Sequence, residues 1–290
     1  MEIQQLRYVC AIAETGSFSR AAERCQVAQP SLSQQILKLE EDLGSKLFDR
    51  MGRAVRLTDA GRAFLPHARS VLDQMEAARS SVLEAASSVR GRVSLGVIPT
   101  IAPYWMPRCT AYFAKRYPEA RLRILEETTP VLLEGLRDYS LDFAILALPL
   151  RHKDLEIVPL RTEPIFAVLP RDHRHAAARE LSLKDLRGEP FVMLRDGHCF
   201  RDLSLAACSR ARITPNIAFE SGQFRSLFAM VAAGVGVSLV PEMAIDRNAG
   251  CRYVRISDGR ATRTIVAATR RGRSLNRLQQ AVLSSWKNTD

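Results

Sequence analysis

The sequence changes character near residue 90, and this change constrains the fold more than any other feature of the chain. Before it, apolar residues follow mainly helical spacing, whereas after it short runs of Val, Ile and Leu alternate with helical stretches. Such alternation indicates an α/β domain built around mainly parallel sheets. We therefore predict a multidomain protein, with an all-α-type domain over 1–58, a long linker helix over 59–89 and an α/β domain over 90–290.

The α/β part holds enough strands and helices for two lobes, about 90–163 with 268–290 and about 164–267. The predicted strands are Val93–Ile98, Leu122–Glu127, Phe143–Leu146, Ile165–Leu169, Phe191–Leu194, Asn216–Glu220, Gly236–Val240, Tyr253–Ile256 and Thr264–Ala268. The predicted helices are Pro103–Arg116, Pro130–Tyr139, Arg201–Arg212, Gln223–Ala233 and Ser274–Trp286.

The first 58 residues predict a winged helix-turn-helix. Ser17 can cap a short helix that ends near Cys25, Pro30 opens the next helix, and Gly44 ends it. That third helix has a predicted buried stripe of Leu32, Ile36, Leu39 and Leu43. Polar residues at its N-terminal end can bond base edges or phosphates, which makes it a recognition helix. These candidates are Gln29, Pro30, Ser31, Ser33, Gln34 and Lys38.

A small hairpin turning near Gly52 follows and forms the predicted wing. Its arginines, Arg50, Arg53 and Arg56, suit phosphates or the minor groove. The alternative is a plain three-helix bundle with a solvated basic loop.

A long helix from Thr58 toward Val89 carries a heptad stripe that indicates a homodimer. The stripe consists of Phe64, Ala68, Val71, Met75, Ala78, Val82, Ala85 and Val89. Pro66 departs from the pattern because it removes one helical hydrogen bond. The alternative is an amphipathic helix that packs on its own chain.

The composition excludes several classes of protein. The 47% apolar and 25% charged residues exclude intrinsic disorder as the main state, and the net charge of +11 favours a polyanionic partner. The charge does not locate that partner, since residues 1–92 carry only +2 and residues 93–290 carry +9. With no apolar stretch of about 20 residues and no signal sequence, we expect a cytoplasmic protein with reduced thiols and no membrane contact.

Motifs over Leu6–Leu65 resemble the LysR-type transcriptional regulators. They are Ser17-Phe18-Ser19-Arg20-Ala21-Ala22, Gln29-Pro30-Ser31-Leu32-Ser33, Ile36-Leu39-Glu40, Leu43-Gly44, Leu47-Phe48-Asp49-Arg50 and Leu57-Thr58-Asp59-Ala60-Gly61. The resemblance implies a winged helix-turn-helix, a linker helix and a two-lobed effector domain like a periplasmic binding protein. It also implies promoter DNA as partner, a dimer of dimers, RNA polymerase as a candidate partner, and an effector site between the lobes.

The segment Asp196-Gly197-His198-Cys199-Phe200-Arg201-Asp202, followed by Cys208, is similar to the redox motif of the OxyR subfamily of peroxide sensors. Gly96-Val97-Ile98-Pro99-Thr100 and Pro103-Tyr104 are similar as well. The resemblance implies that hydrogen peroxide oxidises Cys199, that Cys208 then forms a disulfide with it, and that contacts with promoters of oxidative-stress genes change. It assigns supporting roles to Thr100, Thr129, His198, Asp202 and Arg263, with no cofactor or metal.

A thiolate is the nucleophile toward peroxide, so we expect a lowered pKa at Cys199, favoured by a helix N-terminus and by His198 or Arg201. Arg263 in the basic C-terminal stretch either borders this pocket or belongs to a solvated surface. On an intact helix, nine residues separate Cys199 and Cys208 by roughly 13.5 Å and place them on opposite faces. A disulfide needs Cα atoms within roughly 7 Å. We therefore hypothesise that oxidation melts or refolds this segment.

Other interpretations remain open at this point. The two thiols could be unrelated, the regulator could respond to a small organic effector in the cleft, or the chain could be a thiol peroxidase. The helix-turn-helix argues against an enzyme, and the missing signal peptide argues against a solute-binding protein. Of the remaining cysteines, Cys10 and Cys25 are expected in the core, Cys109 on a helix, and Cys251 as an exposed bystander.

Overall fold

The computed structural model describes residues 1–51, 54–83, 91–150, 153–259, 261–273 and 275–287. Within these residues the chain divides into two compact units, an N-terminal one and a larger C-terminal one. None of the described helices combines the length and apolar character of a membrane span.

The N-terminal unit is a winged helix-turn-helix, as predicted. Its elements are α1 (Ile3–Thr15), α2 (Phe18–Cys25), α3 (Gln29–Leu43), β1 (Phe48–Met51), β2 (Ala54–Leu57) and α4 (Asp59–Leu83). Val9, Ile12 and the α3 residues Leu32, Ile36 and Leu39 are fully buried in one apolar core. The prediction for Leu43 is wrong, because this residue lies in the last turn of α3 and is 40% exposed.

Local hydrogen bonds set where these helices begin and end. The Ser17 hydroxyl accepts from the Arg20 backbone N–H and caps α2, and Gly44 ends α3 in the left-handed region at φ 64°. Thr58 donates to the Lys46 carbonyl and accepts from the Gly61 N–H (2.9 Å), so it joins the start of α4 to the segment before β1.

Helix α4 runs through Pro66 and is described as far as Leu83. The first part of its apolar stripe serves its own unit, since Phe64 packs on the helical core and Ala68 is buried. Farther along, Val71 is 46% exposed and Ala78 is exposed. The stripe positions Ala85 and Val89, and the side chain of Val82, lie outside the described residues. The exposed part of the stripe therefore begins at Val71.

The C-terminal unit alternates strands and helices. Its strands are β3 (Gly91–Val97), β4 (Ala120–Glu126), β5 (Phe143–Ala147), β6 (Leu155–Leu169), β7 (Glu180–Leu181), β8 (Pro190–Leu194), β9 (Asn216–Ser221), β10 (Ser238–Pro241), β11 (Arg252–Ile256) and β12 (Thr262–Arg270). Its helices are α5 (Ala102–Arg116), α6 (Thr129–Arg137), α7 (Cys199–Arg210), α8 (Phe224–Ala232) and α9 (Arg277–Lys287), with short 3₁₀ turns at Leu183–Leu186 and Glu242–Ala244.

The sheet is mixed rather than mainly parallel. The strand order is β4-β3-β5-β12-β6-β11-β7, β10 also pairs with β6, and β8 pairs with β9 separately. The pairs β3–β4, β3–β5, β7–β11 and β8–β9 are parallel, whereas β6 and β12 pair antiparallel with each other and with β5, β10 and β11. The prediction of mainly parallel sheets was wrong in this respect because it did not anticipate the long antiparallel pair β6–β12.

Two apolar cores give this unit its two lobes. One core includes residues of β3, β5, β12, α5, α6 and α9, and the other includes residues of β8, β10, β11, α7 and α8. Strand β6 serves both, because it pairs with β12 over 155–164 and with β10 and β11 over 165–169. Thr100 follows β3, α6 follows β4 and α7 follows β8, so each of these segments begins at the carboxyl end of a parallel strand. Such strand ends are where α/β domains commonly place their functional sites.

Candidate functional site

Cys199 is the first residue of α7 and faces the junction of the two cores. His198 is the N-cap, and Gly197 before it adopts φ 89°, a conformation that glycine tolerates. Cys199 is half-buried and packs against the first core, whereas the next residue, Phe200, is buried in the second. The start of α7 therefore places the thiol where the two lobes meet.

Burial raises the pKa of the Cys199 thiol above its usual value, and several groups oppose this effect. The Arg263 guanidinium lowers the pKa most, followed by the Thr129 hydroxyl, which can donate to the thiolate; Asp202 raises it, and the backbone of Ala147 lowers it. The expected lowered pKa is therefore wrong for this conformation, because desolvation of the thiolate outweighs the groups that stabilise it.

Arg263 is fully buried and connects the segments around Cys199. Its Nε and Nη2 donate to Oε1 of Glu163 at 2.8 and 2.5 Å, and Glu163 lies directly opposite on β6. Its Nη1 donates to the hydroxyl of Thr100 at 3.1 Å, and its guanidinium lies 5.6 Å from the ring centre of Phe200. Arg263 thus borders the pocket and does not lie on a solvated surface.

Two buried polar atoms, one on the residue before Cys199 and one on α6, have no partner with full hydrogen-bond geometry among the described residues, although the second of them is close enough to Cys199 to stabilise its thiolate. They are Nε2 of His198 and Oγ1 of Thr129. Burial lowers the pKa of His198, and the nearby Arg195 lowers it further, so the imidazole is neutral at pH 7. A buried polar atom without a partner costs about 1–3 kcal/mol. The described residues around the start of α7 therefore leave part of the hydrogen-bonding capacity of these two side chains unused.

Arg201 holds the loop before α7 and does not supply the charge beside Cys199. Its Nε lies 2.8 Å from Oδ1 of Asp196, and its Nη1 donates to the Leu194 carbonyl (2.8 Å) and to Glu220. The expectation that His198 or Arg201 would favour the thiolate is wrong, since His198 is neutral and Arg201 binds these other acceptors. Asp202 is exposed in the first turn of α7.

Cys208 lies on the same helix as Cys199 but within the second core, where it is fully buried. Burial raises the pKa of this thiol to about 11. Both cysteines are free, and α7 is continuous between them. An intact helix advances roughly 13.5 Å over nine residues, so the two sulfurs are out of reach of each other in this conformation.

None of the remaining cysteines forms a disulfide within the described part of the chain, and one of them differs from expectation. Cys251 is buried and its thiol donates to the Phe228 carbonyl at 3.3 Å, so it is not an exposed bystander. Cys109 is buried on α5, and Cys10 and Cys25 are half-buried against the N-terminal core.

A cleft of about 670 Å³ adjoins the pocket around Cys199 and shares Thr100 with it. Its walls come from both lobes: Pro99, Thr100, Pro103, Tyr104, Glu126, Leu194, Gly222, Gln223, Phe224, Arg225, Phe228, Ile245, Asp246 and Arg247. The cleft combines aromatic walls with charges of both signs, which is typical of a small-molecule site.

The candidate DNA contacts lie on the start of α3 and on the wing. Gln29, Pro30, Ser31, Gln34 and Lys38 are exposed, whereas Ser33 is half-buried and accepts a hydrogen bond from Gln29 (2.9 Å). On the wing, Arg56 is exposed, and the backbone of Arg50 pairs with Val55; Arg53 and the Arg50 side chain lie outside the described residues. Glu40 of α3 accepts from the N–H groups of Leu47 and Phe48 (2.7 and 3.1 Å), which fixes the wing beside this helix.

Residues 3–62 match the family described as the bacterial regulatory helix-turn-helix protein, lysR family, and residues 86–288 match the LysR substrate binding domain. The chain belongs to the LysR family of transcriptional regulators. A LysR relative from Escherichia coli K12, the DNA-binding transcriptional dual regulator OxyR, is 36% identical over 84% of this chain and 80% of its own length. Within the family the chain is OxyR-like.

Two solved structures resemble the whole chain. A cysteine-to-aspartate variant of full-length OxyR from Pseudomonas aeruginosa is 32% identical, with a TM-score of 0.85, over all of this chain and 94% of that one. A hydrogen peroxide-bound cysteine-to-serine mutant of Corynebacterium glutamicum OxyR is 31% identical, with a TM-score of 0.66, over 99% of this chain and 92% of that one.

Sequence reasoning missed Glu163. This acid has no motif around it, and its role depends on the register that places it opposite Arg263. The available signal was a single carboxylate just before the apolar run Ile165–Leu169, in a segment not predicted to be a strand. The structure brings Thr100, Thr129, Cys199 and Arg263 together, places His198 next to them as the N-cap of α7, and keeps Cys208 apart from them.

Proposed function

We propose that this chain is a cytoplasmic LysR-type regulator that senses hydrogen peroxide at Cys199 and then changes its contacts with promoters of oxidative-stress genes. The observation that carries the proposal is a half-buried thiol at the start of α7, next to the Arg263 guanidinium and the Thr129 hydroxyl, which both favour its thiolate. Thr129 Oγ1 and, on the preceding residue, His198 Nε2 are buried and have no partner with full hydrogen-bond geometry among the described residues. A small polar ligand would satisfy these atoms. The OxyR relatives and the peroxide-bound neighbour support this choice of ligand.

Hydrogen peroxide suits such a pocket because each of its oxygens can both donate and accept a hydrogen bond. The Thr129 hydroxyl can donate to one oxygen, and the neutral His198 can donate or accept. Thr100 is engaged by Arg263, so its hydroxyl proton stays available for the ligand. Asp202, exposed in the first turn, raises the pKa of Cys199 and so acts in the opposite direction to Arg263.

The chemistry has two balanced steps. The Cys199 thiolate attacks one peroxide oxygen, the O–O bond breaks, and the second oxygen leaves as hydroxide and takes up a proton to become water, which leaves a sulfenic acid. The Cys208 thiol then attacks the Cys199 sulfur, a disulfide forms and a second water leaves. The two thiols are oxidised by two electrons, and one peroxide is reduced to two waters.

The second step requires α7 to open. Cys208 and Phe200 are buried in the second core, and the helix between the cysteines holds the sulfurs apart. We propose that the segment Cys199–Cys208 melts or refolds when the disulfide forms, so that oxidation becomes a change in the shape of the effector domain.

We propose that the N-terminal unit binds the promoter and carries the contacts that change on oxidation. Exposed polar residues of α3 and the wing arginines would contact promoter DNA, and the exposed stripe from Val71 onward would pair α4 with a second copy. We propose a homodimer through this helix, a homotetramer built from two dimers, and RNA polymerase as the partner at the promoter.

Thiol counting with disulfide mapping tests the proposal. One equivalent of peroxide should consume two thiols and give a peptide linked through Cys199 and Cys208. Cys199→Ser should keep DNA binding and lose the response to peroxide. Six unmodified thiols after stoichiometric peroxide would refute the proposal, and sulfenic acid at Cys199 without a disulfide would refute its second step.

The cleft favours a second candidate, a LysR-type regulator that responds to a small organic effector. Its volume of about 670 Å³ is far larger than a peroxide molecule needs, and Tyr104, Phe224 and Arg225 supply apolar and charged contacts. The peroxide sensor and the organic-effector regulator predict different behaviour for one variant, Cys199→Ser. If the organic effector is the signal, Cys199→Ser should leave the regulatory response unaltered.

A further inference from the structure

We propose that Glu163 is a positioning residue for the pocket around Cys199, because it fixes Arg263 between Thr100 and Cys199. Its carboxylate also offsets part of the guanidinium charge that acts on the Cys199 sulfur. The inference deepens the proposed function and rests on Cys199 being the sensing thiol. Glu163 lies on β6, the strand shared by both lobes, and its side chain is fully buried.

Both oxygens of Glu163 are engaged, which fixes the carboxylate in one orientation. Oε1 accepts from Nε and Nη2 of Arg263, and Oε2 accepts from the backbone N–H of Met243 at 2.8 Å. With Nε and Nη2 of Arg263 bound to Glu163, Nη1 donates to the Thr100 hydroxyl (3.1 Å). The Thr100 carbonyl accepts longer bonds from Nη1 and Nη2 (3.4 and 3.5 Å). Glu163 therefore determines which edge of the guanidinium faces the pocket.

The charges around Cys199 explain why this partner matters. Arg263 on β12 and Asp202 on α7 act directly on the thiol, and Glu163 on β6 binds Arg263. His198 is neutral at pH 7, Arg195 acts on that imidazole, and Thr129 of α6 carries no charge. In a buried site a cation paired with an anion acts as a dipole, whose attraction for a thiolate is weaker than that of an isolated charge.

This arrangement accounts for a thiol that burial keeps protonated although an arginine lies beside it. An unpaired guanidinium would produce more thiolate and a faster reaction with peroxide and with other electrophiles. With Glu163 in place, the sensor retains the arginine geometry for the reaction and keeps a low thiolate fraction at rest.

The test is Glu163→Gln in the full-length protein, with the Cys199 alkylation rate by iodoacetamide followed against pH and assigned by mass spectrometry. The amide keeps an oxygen for Arg263 and loses the charge. We expect the Cys199 pKa to fall by about one unit, which makes alkylation roughly tenfold faster at neutral pH. An unchanged or higher pKa would overturn the proposal.

Asp142→Asn is the matched control. Asp142 pairs with Arg273 at 2.6 Å in a largely buried site, but it precedes β5, whereas Ala147 at the other end of that strand contacts Cys199. Five residues of strand separate them by roughly 16 Å. We expect Asp142→Asn to lose stability without a change in the Cys199 pKa. An equal pKa shift in Asp142→Asn and Glu163→Gln would show that any destabilisation of the domain changes this pKa, and would refute the role of Glu163.

A second comparison serves if Glu163→Gln does not fold. Arg263→Gln leaves the carboxylate charged and unpaired, whereas Arg263→Gln with Glu163→Gln leaves a neutral pair. The Cys199 pKa should be higher in the single variant than in the double variant, and equal values would overturn the proposal. Alkylation needs no peroxide. A pKa shift in a protein that peroxide does not oxidise would therefore refute the proposed function and retain the role of Glu163.

Discussion

The two ends of α7 present the same functional group in opposite surroundings. At the N-terminal end, Cys199 is half-buried beside Arg263 and Thr129, which stabilise its thiolate against the effect of burial. At the C-terminal end, Cys208 is fully buried among apolar side chains, and its pKa is raised to about 11. Burial raises the pKa of both thiols, so the comparison teaches that they differ in the neighbours that oppose this effect, Arg263 and Thr129, which act on Cys199.

The first prediction concerns which thiol reacts, and it has the largest expected effect. Cys199→Ser should reduce oxidation by peroxide to the slow rate of buried thiols, at least about tenfold below the native rate. Cys208→Ser should keep the first step and stop at the sulfenic acid, which a sulfenic-acid-specific label and mass spectrometry would detect. Loss of the first step in Cys208→Ser would contradict the division of roles between the two ends.

The second prediction concerns Arg263, the cation beside Cys199 at the N-terminal end of α7. Arg263→Ala leaves the Glu163 carboxylate buried and unpaired, so we expect a loss of about 3–5 kcal/mol in the free energy of unfolding in urea, with a further rise of the Cys199 pKa. The control is Arg201→Ala, whose partners Asp196 and Glu220 are exposed and can be solvated. Equal losses of unfolding free energy in Arg263→Ala and Arg201→Ala would show that the buried Glu163–Arg263 pair contributes no more to stability than the exposed pairs of Arg201.

The third prediction concerns how the stability of the protein depends on pH through Cys208, at the C-terminal end of α7. The pKa of Cys208 is raised in the folded protein, so the unfolded chain loses this proton first as the pH rises above 9. Stability should therefore fall between about pH 9 and 11, and Cys208 should account for about 2–3 kcal/mol of that fall. Urea unfolding of the native protein and of Cys208→Ala at several pH values isolates this contribution. Parallel curves for the two proteins would contradict it.

The fourth prediction is the smallest. Thr129→Val removes a donor to the thiolate, so the alkylation rate of Cys199 at neutral pH should fall a few-fold. The Thr129 hydroxyl has no partner with full hydrogen-bond geometry among the described residues, and a protonated thiol is a weak acceptor, so stability should change by less than about 1 kcal/mol. Thr100→Val should instead destabilise the protein, because that hydroxyl accepts from Arg263. A similar loss of stability in both variants would show that Thr129 makes as strong a hydrogen bond in the folded protein as Thr100 does, and would contradict this prediction.

Local patterns in the sequence predicted most elements well. The cap at Ser17, the left-handed Gly44 and the strand runs of the α/β part depend on neighbouring residues, so they can be inferred from the chain itself. The first ten residues of β6 were missed because Leu155–Pro164 contains charged residues and two prolines. Its strand geometry comes from pairing with β12, a partner about a hundred residues away.

The pocket around Cys199 illustrates the same limit more strongly. Thr100, Thr129, Cys199 and Arg263 come from four distant segments, and only the resemblance to a known family connected them. Residues without a motif were missed, as Glu163 was, because their role depends on a contact that tertiary structure creates. The sign of the Cys199 pKa shift was also mispredicted, because desolvation depends on burial that spacing does not reveal.

The central claim is that Cys199 and Cys208 can bond only when α7 opens, and hydrogen exchange measures this most directly. Backbone amides over residues 201–207 should be protected in the reduced protein. After one equivalent of peroxide they should lose protection together with formation of the disulfide, and Cys208→Ser should keep them protected. A Cys199–Cys208 disulfide formed with unchanged protection across this segment would contradict the account.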